Sequence, residues 1–213
     1  MAYTTLILDF DGTIANTQKS IVQTMQYVAS SLNITEVDEA LIKKLIGLPL
    51  KTTFEKALLL DEESIEQATT TYRQHYNDIA IDTIDLFEGV ADTLRQLHEK
   101  GIHLNVASSK GRESLVRILK KQNVYELFSF VGGEEDAKSK KPSPEIVNLI
   151  IDKFGRKLNE CLVVGDTIFD IEMGQRAKVD TCGVTYGNGT SDELKKQNPN
   201  YLIDQFESLL KIV

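Results

Sequence analysis

The chain has 213 residues, 41% of them hydrophobic, and a formal net charge of −8 from 32 acidic and 24 basic side chains. That length supports one sizeable core, or a core with a small second domain. The acidic balance argues against non-specific nucleic-acid binding, and no apolar run approaches the roughly 18 residues that a membrane helix needs.

The first residues, MAYTTLILDFDG, show no positively charged leader region and no small-residue cleavage site. TTLILDF (residues 4–10) is a short apolar run that ends at Asp9, with Asp11, Gly12 and Thr13 directly after it. It reads as a buried parallel strand. The pattern then changes. TQKSIVQTMQYVASSLN carries Ile21, Met25, Val28 and Leu32 at helical spacing, and DEALIKKLIG, KTTFEKALLL and DEESIEQATTTYRQHYNDIA follow. Residues 15–84 are therefore expected to be an all-helical insertion, entering and leaving on the side where the first strand's carboxyl end lies.

Strands and helices alternate afterwards. IHLNVASS, LFSFVGG, CLVVGD and TCGVTYG read as buried strands. Between them, Val90, Leu94 and Leu97 share one helical face, with Gly101 as its stop, and Leu115, Ile118 and Leu119 share another. A third helix is expected to start with Ser143 as N-cap and Pro144 at its first position, to bury Val147, Ile150, Ile151 and Phe154, and to end at Gly155. This alternation predicts an α/β fold with a parallel sheet covered on both faces. Cys161 and Cys182 sit in apolar stretches without metal-ligand spacing, as reduced core residues of a cytoplasmic protein would. His75, His98 and His103 have no partner at ligand spacing and receive no role.

Polar residues collect where the strands end. Asp9 and Asp11 follow the first strand. Ser108 closes the second, with Ser109, Lys110 and Arg112 behind it. Lys141 precedes the third helix, and Asp166 and Asp170 follow the strand CLVVGD. Taken singly, Asp11-Gly12 reads as a turn, Asp166-Thr167 as a helix cap, Ser108 as a strand-end hydroxyl and Lys141 as part of a solvated basic run. Parallel strands place all of them on one rim, and the joint placement outweighs those readings. Three converging carboxylates repel one another unless a cation joins them, and carboxylate oxygens suit Mg²⁺. An ammonium and a hydroxyl nearby suit phosphoryl oxygens, and a carboxylate can itself attack phosphorus.

These residues resemble the haloacid dehalogenase-like hydrolase superfamily in its phosphatase branch. DFDGT matches the first motif, the strand ending in Ser108 the second, KPSP the lysine motif and GDTIFD the acidic motif. The resemblance spans essentially the whole chain, and the helical insertion looks like the cap of members resembling phosphoglycolate phosphatase or pyrophosphatase. It implies a Rossmann-like parallel-sheet core (residues 1–14 and 85–213) with an inserted all-helical cap domain (residues 15–84). It implies Asp9 as nucleophile and metal ligand, Asp11 as acid and base with its carbonyl on the metal, and Asp166 as a further ligand of Mg²⁺. Ser108, Ser109 and Lys141 would bind phosphate, with Gly12 and Thr13 in the same loop, and Asp170 would support the metal or Lys141.

The resemblance implies hydrolysis of a small phosphorylated metabolite through an aspartyl-phosphate. Phosphoglycolate, pyrophosphate and sugar or nucleotide monophosphates are the candidates, and the enzyme would work in the cytoplasm as a monomer or homodimer with no nucleic-acid or membrane partner. Asp11 argues for phosphate esters, because dehalogenases lack that residue. A β-phosphoglucomutase-like phosphotransferase is the alternative, although Leu50 stands where such mutases carry a cap arginine and Lys51 is one place late. Phosphonate-hydrolysing relatives need a cap lysine, for which Lys19, Lys43, Lys44, Lys51 and Lys56 are the candidates. A phospho-accepting signalling domain is a remote third reading.

Overall fold

The computed structural model describes residues 3–213; Met1 and Ala2, which open the segment read for a leader, lie outside the described residues. The first strand, β1 (Thr5–Leu8), is fully buried. Its side chains alternate between two cores, Leu6 and Leu8 facing one and Ile7 the other. Such two-sided burial explains why the run is apolar throughout rather than alternating.

After a tight turn the chain forms β2 (Ala15–Asn16) and then four helices: α1 (Gln18–Ser31), α2 (Glu39–Leu45), α3 (Leu50–Ala57) and α4 (Glu62–Asp78). Asp38 and Asp61 cap α2 and α4 through Leu41 N–H (3.0 Å) and Ser64 N–H (2.9 Å). The chain returns through β3 (Asp85–Leu86), which pairs antiparallel with β2, so exit and re-entry form one two-stranded ribbon.

The alternating part runs α5 (Val90–Glu99), β4 (His103–Ala107), α6 (Arg112–Lys121), β5 (Phe128–Gly132), α7 (Glu145–Phe154), β6 (Cys161–Gly165), α8 (Ile168–Arg176), β7 (Asp180–Val184), α9 (Ser191–Lys196) and β8 (Tyr201–Ile203). The strands make a six-stranded sheet in the order β5-β4-β1-β6-β7-β8, and every pairing is parallel. Leucines and isoleucines of α5 and α6 join the core on one face, and those of α7 join Ile7 and Val163 on the other. The expected α/β Rossmann-like architecture is the one observed.

Several details differ from expectation: the two-residue β2 falls inside the segment expected to be all helical, Phe154 is only half-buried, and β5, at the sheet edge, is partly exposed. The helix α7 begins at Glu145, with Pro144 at the cap position rather than inside. The Glu145 carboxylate instead accepts from the backbone N–H groups of Lys138 (3.0 Å) and Ser139 (2.7 Å), which ties down the loop carrying Lys141. The seventh strand stops at Val184, and residues 185–190 form a loop that curls back over the rim. Among the described residues, no helix is long and apolar enough to cross a membrane.

Candidate active site

Asp9 leaves the end of β1, where its N–H donates to Val164 O on the neighbouring β6 at 2.8 Å. The chain then turns on Phe10, whose carbonyl accepts from the N–H of Ile14 and of Ala15, both at 3.0 Å. Gly12 sits in this turn at φ +94°, and a Cβ there would lie 2.1 Å from Asp166 Oδ2. Only glycine tolerates both the left-handed backbone and that approach. The turn thus sets Asp9 and Asp11, two residues apart, on the rim.

Lys141 reaches this rim from the loop before α7 and is buried. Its ammonium donates to Asp9 Oδ1 and, at 2.7 Å, to Asp170 Oδ1. Burial alone would lower the lysine pKa, but the carboxylates of Asp170 and Asp9 outweigh it and hold Lys141 charged. Asp170 reaches back from the first turn of α8, and its Oδ2 accepts from Thr167 N–H (3.0 Å) and from the Thr167 hydroxyl (2.7 Å). Asp9, Asp166 and Asp170 each offer an oxygen within 4.8 Å of the others. Burial, joined by the charge of Asp170, lifts Asp166 to about 7. Burial lifts Asp9 well above the ordinary carboxylate range, against the pull of Lys141.

The other expected residues take varied positions. Ser108 is buried at the end of β4, and its Oγ accepts from Lys110 N–H at 3.1 Å. The Ser109 hydroxyl donates to Gly47 O at 2.8 Å, joining the sheet rim to the loop between α2 and α3. Thr13 is buried and donates to Asp166 Oδ1 at 3.3 Å. Arg112 turns away from the site, paired with Asp136 and lying 5.7 Å from the Phe130 ring. Lys110 turns inward and pairs with Asp11 Oδ1 at 3.1 Å and with the Tyr76 hydroxyl at 3.1 Å. Asp9, Asp11, Ser108, Ser109 and Lys110 share a cavity with side chains from all four helices of the insertion. Lys19, Lys43, Lys44, Lys51 and Lys56 do not line it; Lys51 faces Glu62 at 2.8 Å and Lys43 faces Glu39 at 2.7 Å.

Residues 6–184 match the family model described as haloacid dehalogenase-like hydrolase. The chain belongs to that family. Pyrophosphatase PpaX of Halalkalibacterium halodurans is 30% identical over 213 residues, covering 100% of this chain and 98% of the relative, and PpaX of Oceanobacillus iheyensis matches equally. A haloacid dehalogenase-like hydrolase of Bacteroides fragilis superposes with TM-score 0.93 at 27% identity, covering 97% of this chain and 99% of that one. A predicted phosphoglycolate phosphatase of Haemophilus somnus shares the fold, with TM-score 0.90 at 24% identity over 99% and 97% of the two chains. This haloacid dehalogenase-like hydrolase is a phosphatase.

Two residues of the hydrolase's site escaped the sequence reading. Asn188 donates its backbone N–H to Asp166 Oδ2 at 2.6 Å, and its side-chain amide reaches the same oxygen (3.0 Å) and Asp11 O (3.1 Å). Tyr76, from α4, carries the Lys110 contact. The glycines around Asn188 mark a loop in the sequence, but not which way that loop folds. Tyr76 reads as one more apolar position of a helical stripe.

Proposed function

We propose that the chain is a Mg²⁺-dependent phosphatase that hydrolyses a small phosphorylated metabolite through an aspartyl-phosphate on Asp9. The observation that carries this is the buried cluster of Asp9, Asp166, Asp170 and Lys141 beneath the cavity that Asp11 and Ser108 enter. Residues 15–84 act as a cap domain over a core formed by residues 1–14 and 85–213.

The donor set fits a divalent cation. Three buried carboxylates face one buried ammonium, an excess of two negative charges if all three are ionised, and burial first, with neighbouring carboxylates second, lifts Asp9 and Asp166. Hard oxygen donors of this kind suit Mg²⁺, with Asp9, Asp166 and the Asp11 carbonyl as its ligands. When bound, the ion supplies charge neutralisation to the phosphoryl oxygens.

The chain's own residues perform the transfer. The Asp9 carboxylate attacks phosphorus while the ester P–O bond breaks, and Asp11 delivers its proton to the departing alcohol oxygen. Asp11 then takes a proton from water as that water attacks phosphorus, which releases phosphate and restores Asp9. Ser108 and Lys141 hold phosphoryl oxygens, and Lys141 balances the charge of Asp9 and Asp170 between turnovers. The helices over the rim exclude bulk water from the intermediate.

Hydrolysis of p-nitrophenyl phosphate tests the reading. Turnover should require Mg²⁺ and vanish in Asp9→Asn, whereas Asp11→Asn should slow it by about 10²–10⁴-fold. Full activity of Asp9→Asn, or activity unaffected by chelation, contradicts it.

A further inference from the structure

We infer that the preferred substrate is an organic phosphate ester whose alcohol is a compact apolar or aromatic group, rather than a substrate with a second phosphoryl group. This rests on the phosphatase reading above and narrows its substrate class. The cavity over Asp9 and Asp11 measures about 170 Å³ and must hold the phosphoryl group as well, which restricts the alcohol to a compact one. Its far wall comes from the helical insertion and is mostly apolar, with Ile21, Met25, Ile42, Ile46, Leu48 and Leu50 outnumbering the polar Thr53 and Asn77. Tyr72 and Tyr76 complete that wall as a stacked pair, with centroids 5.6 Å apart and planes 12° from parallel.

The charged groups of the cavity do not suit a second phosphate. Among the described residues lining it, the cations are Lys110 and Arg73, and both are engaged. Lys110 is paired with Asp11 and lies 4.2 Å from the Tyr76 ring centre, and Arg73 is paired with Glu134. Glu113 and Glu135 add further carboxylates to the lining. A leaving phosphate would bring more negative charge against these carboxylates and a mostly apolar wall, where both lining cations already have partners. An apolar alcohol would instead leave water for matching surface, and an aryl ring would meet the aromatic face. This reading departs from the substrate in the name of the pyrophosphatase relatives.

The test compares kcat/KM for phenyl phosphate and pyrophosphate on the full chain with Mg²⁺. Phenol is the poorer leaving group of the two, so a preference for its ester reports the cavity rather than intrinsic reactivity. Phenyl phosphate should be favoured by about tenfold or more. Equal or faster turnover of pyrophosphate overturns the inference and leaves the phosphatase reading standing; turnover of neither also overturns the inference, and p-nitrophenyl phosphate then decides the phosphatase reading. Leu48→Lys, in the loop between α2 and α3, should shift the ratio toward pyrophosphate. A folded Leu48→Lys protein with an unchanged ratio shows that the wall does not select the substrate.

Discussion

Lys141 and Asn188 hold the acidic rim by different physics. Lys141 places a buried positive charge between Asp9 and Asp170, whereas Asn188 fixes Asp166 and the Asp11 carbonyl with neutral donors. Removing the charge leaves buried carboxylates without compensation, so Lys141→Met should destabilise the metal-free protein by about 3–5 kcal/mol in urea unfolding. Added Mg²⁺ should recover more stability in that variant than in the wild type, because the ion replaces part of the lost charge. Asn188→Ala leaves every proposed ligand in place but frees its orientation, so a Mg²⁺ titration of activity should show affinity lower by about 10–100-fold. The acidic residues and Lys141 were legible in the sequence because each stands near the end of an apolar run or the start of a helix, where a parallel sheet brings them to one rim. Asn188 was not, because a loop's direction depends on what it packs against, and here that is Asp166 itself.

The helices announce themselves through their buried stripes, and the four in the insertion fall where that spacing puts them. Met25 and Val28 of α1 and Phe54 of α3 are fully buried. Phe54 meets Tyr72 of α4 edge-on, with centroids 6.1 Å apart, so one ring ties two helices together. Phe54→Ala should cost about 3–5 kcal/mol in chemical denaturation, and a loss below 1 kcal/mol would mean that the insertion does not rely on that contact. The short strands were invisible for an equally physical reason. The eighth strand has three residues and β2 and β3 have two each, too few to show a period. The start of α7 was read one residue early because Ser-Pro is a good cap pair in isolation. In the structure the Glu145 carboxylate accepts from the backbone of the preceding loop, the one that carries Lys141.

At the scale of the molecule, the order of elements decides the function. The first strand lies at the centre of the sheet, between β4 and β6, so the residues after all three meet at one rim. The insertion leaves and returns beside that rim through the ribbon of β2 and β3, which places its helices over Asp9. The alternation of strand and helix and the position of the insertion were both readable. The identity of the cavity wall was not, because it depends on how four helices pack rather than on any one pattern. The same burial makes both cysteines poor nucleophiles, with thiols pushed up to about 11 at Cys161 and about 12 at Cys182. At pH 8 the thiolate fraction is then about one in a thousand or less, so iodoacetamide should spare both in the native protein and modify both in urea. Rapid labelling without denaturant would contradict their place in the core. If phosphate passes through Asp9, as proposed, hydrolysis is two successive in-line displacements. The configuration at phosphorus reports this directly, using a phosphorothioate ester made chiral with oxygen isotopes and hydrolysed in isotopically distinct water. Overall retention is the predicted result, and inversion would show a single direct attack by water and contradict the account.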